Sequence, residues 1–291
     1  MSLPFELHGA LADDRAIDLA AYAERLAAHR WGGAGVKRMV VGDLDASLRV
    51  WMPPERYRER QQGAAHRSVA TGAITFKAVD GLCTIAVPDC PDRRHFLVLA
   101  THEMGEAALD ARQDAEGYVF PDGTHDGVAH VLFTEYAVER ARVSVGAELG
   151  WPDATFANSS VVKQLADFEQ ALPGLVAWAV ANDQVPVERN QYWFELIRMY
   201  AMAAGRADGG SALARQDVAD FAARPGFGAE LGVFWSGLDV ALNAAYALPQ
   251  EPTASRDAEV RENGWLPLSE VFSVIWENAC DEQAAQVEPD D

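Results

Sequence analysis

Cysteine is scarce in this chain: three in 291 residues, at Cys83, Cys90 and Cys280. So low and odd a count excludes a disulfide framework and fits a reducing compartment. No Cys-x-x-Cys occurs, which removes a cysteine-built zinc site. Long apolar runs are also missing. No window approaches the ~18 uninterrupted apolar residues of a membrane span. Residues 1–20 lack a basic segment followed by an apolar run, so no secretory signal is expected. Positive charge is in short supply, with 24 Lys and Arg against 44 Asp and Glu and a formal net charge of −20. That balance argues against nucleic acid, which demands a basic surface, and against anionic membranes. A cytoplasmic protein with no nucleic-acid or membrane partner is the expectation. Several catalytic signatures are absent as well. No Glu-x-x-His motif is present for a di-iron bundle. No Gly-x-Gly-x-x-Gly follows a strand, and no Walker sequence or Gly-x-Ser-x-Gly elbow occurs.

What is present is an ordinary globular composition, 49% hydrophobic and 23% charged, enough for a sizeable core. The spacing of Ile17, Leu19, Ala23 and Leu26 predicts a helix over 13–29, ended by Gly32-Gly33. Residues 36–44 read as a strand, with 47–52 extending or pairing with it, and 53–65 as an exposed loop or short helix. Residues 73–78 and 82–87 flank Val79-Asp80-Gly81, a strong hairpin signal. Asp92 is the expected N-cap of a helix over 95–113, and a second helix covers 128–145. After Gly150-Trp151-Pro152 the pattern turns helical, over 161–182, 187–204, 212–223, 230–248 and 265–280, with 249–263 read as a loop. The predicted class is α+β: a domain over 1–150 with a small sheet, a helical domain over 151–280, and a disordered acidic tail over 281–291. That tail holds five acids and no Lys or Arg.

The chemistry concentrates in Leu97-Val98-Leu99-Ala100-Thr101-His102-Glu103-Met104-Gly105-Glu106. Residues four apart share a helix face, so His102 and Glu106 project together with Glu103 beside them. A second acid, Glu135, lies in the apolar helix Leu132-Phe133-Thr134-Glu135-Tyr136. The run of hairpin, His-Glu helix, turn and Glu-bearing helix over 73–145 resembles the gluzincin branch of the zincin metallopeptidases. The match is a variant, His-Glu-x-x-Glu, in which Glu106 stands where that family has histidine. The resemblance implies a zincin-like N-terminal half and a hydrolase that attacks a peptide or amide bond. His102, Glu106 and Glu135 would be the metal ligands. Glu103 would be the general base, taking a proton from the attacking water and passing it to the leaving amine.

Carboxylate oxygen is an admissible zinc ligand. One histidine and two glutamates, however, cancel the charge of a dication that two histidines and one glutamate leave at +1. Oxygen-rich ligation also shifts preference toward harder ions. The implied cofactor is therefore zinc bound more weakly than in the family, or another divalent ion such as manganese. The implied partner is a peptide or protein, as substrate or, if catalysis has been lost, as the ligand of an inactive scaffold. The bland alternative is an amphipathic helix with these residues solvated or paired with arginines. His125 and His130 are alternative ligands, although His130 and Glu135, about 140° apart on one helix, cannot easily face the same ion. Glu139 and Arg140 read as ordinary helix charges or as partners of a ligand, and Tyr136 as core or an oxyanion donor.

Overall fold

The computed structural model describes residues 3–29, 35–64, 72–155 and 160–287. The class is α+β, a small sheet within a mostly helical chain. The chain divides into two compact units, Met1–Tyr118 with Ala141–Phe156, and Val119–Arg140 with Ala157–Asp291.

The first unit carries the sheet. Its strands are β1 (Glu6–His8), β2 (Arg38–Gly42), β3 (Ile74–Lys77) and β4 (Cys83–Pro88), in the order β1-β2-β4-β3. β1, β2 and β4 are parallel, and β3 is the antiparallel edge strand, paired to β4 through the expected hairpin. Helix α1 (Asp13–Ala27) makes the crossover from β1 to β2. Alternation along the strands divides the core by face. Met39, Val41, Ile85 and Val87 join Leu19 and Tyr22 of α1 and Phe96, Leu97, Ala100 and Met104 of α4 (Arg93–Glu116). Phe76 and Ala86 join Leu48 and Met52 in and after α2 (Leu44–Trp51). α3 (Pro54–Ala64) follows α2.

α2 corrects the expectation of a strand near 47–52. Leu44, Leu48 and Trp51 recur at helical spacing, and the Asp43 side chain accepts from the Ala46 N–H at 2.7 Å as N-cap. The polar stretch 53–65 forms a helix to Ala64. The Gly32-Gly33 stop lies outside the described residues.

Helix α5 (His125–Glu148) has residues in both units. The second unit continues with α6 (Ser160–Asn182), α7 (Val187–Asp208), α8 (Ala212–Ala223), α9 (Phe227–Glu230), α10 (Gly232–Ala247), α11 (Thr253–Val260) and α12 (Leu266–Val287). Phe168, Trp193, Tyr200, Phe221, Trp235 and Phe272 form its aromatic core, with Trp193 stacked on Phe272 at 3.8 Å between ring centres. Trp265 and Trp276 are also buried, whereas Trp178 is exposed. Gly205 lets α7 lie against α5: a Cβ there would stand 2.2 Å from the Tyr136 carbonyl oxygen.

Two expectations fail here. From Thr253 on, the stretch 249–263 is not a loop but α11 and a π-helical turn, Arg261–Trp265. Its polar composition misled because Arg256 and Asp257 are buried rather than solvated. α12 also runs past Cys280 to Val287, into the stretch expected to be disordered. Among the described residues no helix is long and apolar enough to cross a membrane. The three cysteines are free.

Candidate metal centre

α4 begins as the sequence predicts. The Asp92 carboxylate accepts from the Arg94 N–H at 2.8 Å, and the helix closes at Gly117 in the left-handed conformation, φ 68°. Its apolar face turns to the sheet and to α1, so the polar residues on its other faces are set by helical phase. His102 and Glu106 come together one turn apart, with Nε2 and Oε1 3.4 Å from each other and both side chains partly exposed. Tetrahedral ligation at ~2.0–2.2 Å per bond puts neighbouring donors about 3.3–3.6 Å apart. This pair is already at that spacing.

Glu103 lies a third of a turn round and faces β3. Its residue is only 7% exposed. Thr75 Oγ1 is 2.8 Å from Glu103 Oε2 and 3.1 Å from the Glu103 carbonyl oxygen. One hydroxyl proton serves one of those acceptors at a time. Burial, and next the charge of Glu106, push the Glu103 carboxyl up to about 8. A protonated Glu103 can donate to Thr75 while Thr75 donates to the carbonyl, which satisfies the whole chain of polar groups.

α5 supplies the third expected ligand. Glu135 is buried, and its Oε1 accepts from Arg198 Nη1 of α7 at 2.6 Å. The same guanidinium contacts Glu195 Oε2 through Nε and Nη2, each at 3.1 Å. His102 and Glu106 belong to the first compact unit and Glu135 to the second. The donor set of one imidazole and two carboxylates suits a divalent cation, zinc or a harder ion.

The remaining candidates have other partners. His130 Nδ1 is 2.9 Å from Asp257 Oδ2, with both side chains buried. His125 Nδ1 accepts from Trp265 Nε1 at 2.9 Å. Glu139 is paired with Arg206 in the interior. Tyr136 is buried and donates to Asp208 at 2.5 Å, while Arg140 donates to the Tyr136 hydroxyl at 2.7 Å. Thr75, Glu195 and Arg198 carry no motif, so pattern reading passes over them. The one available signal was Arg198 itself, a charge inside the apolar run Leu196-Ile197-Arg198-Met199-Tyr200.

Comparison of the chain with protein-family models, curated proteins and solved structures gives no match.

Proposed function

We propose that this chain is a metal-dependent hydrolase of the zincin-like, gluzincin type, acting on a peptide or amide bond. His102, Glu106 and Glu135 hold a divalent cation, zinc or a harder ion such as manganese, and Glu103 is the general base. The carrying observation is the pairing of His102 Nε2 with Glu106 Oε1 at 3.4 Å, one turn apart on one helix. A cation held there would make water more acidic and polarise a carbonyl. Glu103, adjacent to His102 in sequence, would receive the proton of an attacking water once its own proton has left. Positive charge nearby favours that ionised form against burial. Thr75 then donates to Oε2 and fixes the carboxylate's direction. Free cysteines fit a reducing, cytoplasmic setting.

A second reading, an inactive scaffold of the same type that binds a protein, is favoured by one observation. Glu103 is buried against β3, and its carboxyl is raised to about 8, so at neutral pH it holds the proton a base must lack.

Metal analysis of protein purified without added metal, followed by chelation and titration with zinc and manganese, tests the cation. Stoichiometric uptake supports the site, and failure to take up either ion removes it. Glu103→Gln should keep the cation and lose hydrolysis of a peptide library. Hydrolysis retained in that variant removes Glu103 as base. If the wild type binds metal without hydrolysing anything and Glu106→His hydrolyses, the scaffold reading stands.

A further inference from the structure

Helices α7, α8 and α10, all of the second unit, line a cleft of about 630 Å³. That volume falls within the ~300–1,000 Å³ usual for small-molecule sites. Its walls carry small and branched apolar residues, Ala204 from α7, Val218 from α8, and Val240 and Ala244 from α10. Two charged residues line the same cleft without a partner of opposite charge. Asp239 of α10 is half-buried, and its Oδ2 accepts from the Tyr200 hydroxyl at 2.8 Å. Among the described residues Oδ1 has no hydrogen-bond partner, and no cation is paired with this carboxylate. Burial pushes the Asp239 carboxyl up to about 7, with the Tyr200 hydrogen bond acting against that rise and the charge of Asp208 adding to it. Arg215 of α8 is exposed, and its Nη2 donates to the Ala207 carbonyl oxygen on the cleft wall at 3.2 Å. Among the described residues it has no acid as partner. Asp208, at the same cleft, differs from both. Tyr136 and Asn243 donate to it and Arg140 stands 3.9 Å away, so its charge is already answered.

We infer that this cleft binds a small zwitterion with an apolar body, an amino acid or short peptide, with the ammonium at Asp239 and the carboxylate at Arg215. The site shares no residue with the metal centre, so the two stand or fall separately. An ammonium supplies the cation that Asp239 lacks and favours its ionised form. It needs one carboxylate oxygen, so Tyr200 can keep its hold on the other. The guanidinium of Arg215 has several N–H donors and commits one to Ala207, which leaves others for a carboxylate. A simple amine would leave Arg215 unanswered, and a simple acid would leave Asp239 so. The alanine and valine walls accept an aliphatic side chain and offer a polar one no partner.

Calorimetric titration of the full chain tests this with L-leucine, L-leucyl-L-leucine, 3-methylbutylamine and 4-methylpentanoate. The first two carry both charges, adjacent or a residue apart, and the last two carry one charge each. The tighter of the zwitterions should bind about tenfold or more tighter than either single-charge probe, the scale of one charged hydrogen bond. Which zwitterion leads tells an amino-acid ligand from a peptide. Arg215→Met should bring that zwitterion down to the level of 3-methylbutylamine, and Asp239→Asn to that of 4-methylpentanoate. A change that only loosens the fold weakens every probe together and leaves the ratios alone. Arg215 is exposed, so its variant remains informative if Asp239→Asn does not fold. Zwitterions that bind no tighter than the single-charge probes overturn the inference. So does a preference that survives substitution of Arg215 or of Asp239, and so does the absence of binding by every probe at millimolar concentration.

Discussion

Helices α4 and α5 both bury glutamate side chains, and they treat them in opposite ways. On α5, Glu135 and Glu139 each meet an arginine of α7, Arg198 and Arg206. On α4, burial and then the repulsion of Glu106 push the Glu103 carboxyl up to about 8, against the opposing hydrogen bond of Thr75. A guanidinium fixes the direction of the carboxylate it grips, whereas burial beside a hydroxyl and a second acid leaves a group whose charge responds to its surroundings. The lesson is that the two helices divide the labour: α5 fixes negative charge in place, and α4 keeps a proton that can be released.

The largest test of that division lies on α5. The Glu139 and Arg206 side chains are 1% and 4% exposed, so Arg206→Met removes the cation from a carboxylate that water cannot reach. Breaking a buried pair from one side costs ~3–5 kcal/mol. Urea unfolding should show a loss of that size. The double variant Glu139→Gln with Arg206→Met should recover much of it, because no charge is then left behind. A single-variant loss under about 1 kcal/mol, the scale of an exposed pair, would mean that α5 does not depend on its ion pairs.

The next effect is on α4, and its sign follows from linkage. Below its ordinary value of 4.5, Glu103 holds a proton whether the chain is folded or not. Between 4.5 and about 8 the folded chain keeps the proton and the unfolded chain has lost it. The stability contributed by Glu103 is thus fully present at low pH and is lost as pH rises through about 8. Glu103→Gln cannot ionise and escapes that loss. Its stability relative to metal-free wild type should improve by several kcal/mol between about pH 5 and pH 9. Parallel pH profiles for the two proteins would show that Glu103 is ionised throughout, and the contrast between the helices would disappear.

Much of this arrangement was legible in the sequence, and the illegible part has a common cause. Asp80-Gly81 marked the hairpin and Asp92 the start of α4, because turns and caps depend on a few adjacent residues. The one-turn spacing of His102 and Glu106 followed from helix geometry alone. α2 was missed although Asp43, Leu44, Leu48 and Trp51 carry a cap and a helical stripe, since eight residues are too few for the pattern to stand out. α11 was missed because its charges look solvated in sequence and are buried in the fold. Arg198 stands 63 positions from Glu135, and Thr75 stands 28 from Glu103. Pairs so far apart leave no local pattern, so the candidate residues were readable and the residues paired with them were not.

Thr75 gives the smallest and most discriminating test. Thr75→Val keeps the shape of the side chain and the β-branching suited to β3, and removes only the hydroxyl. A hydrogen bond of this kind contributes ~1 kcal/mol, more when its partner is charged. When Glu103 is protonated, valine deprives its O–H of an acceptor. When Glu103 is ionised, valine deprives the carboxylate of a donor, which is the greater loss. The destabilisation caused by Thr75→Val should therefore be about 1 kcal/mol near pH 5 and larger near pH 9, as measured by thermal unfolding of the metal-free protein. In the Glu103→Gln background the pH dependence of that cost should vanish, because the amide presents the same dipole at every pH. A cost that stayed constant with pH in the wild-type background would place the Thr75 proton on the Glu103 carbonyl rather than the carboxyl. Burial and Glu106 would then raise the Glu103 carboxyl with no opposing hydrogen bond from Thr75.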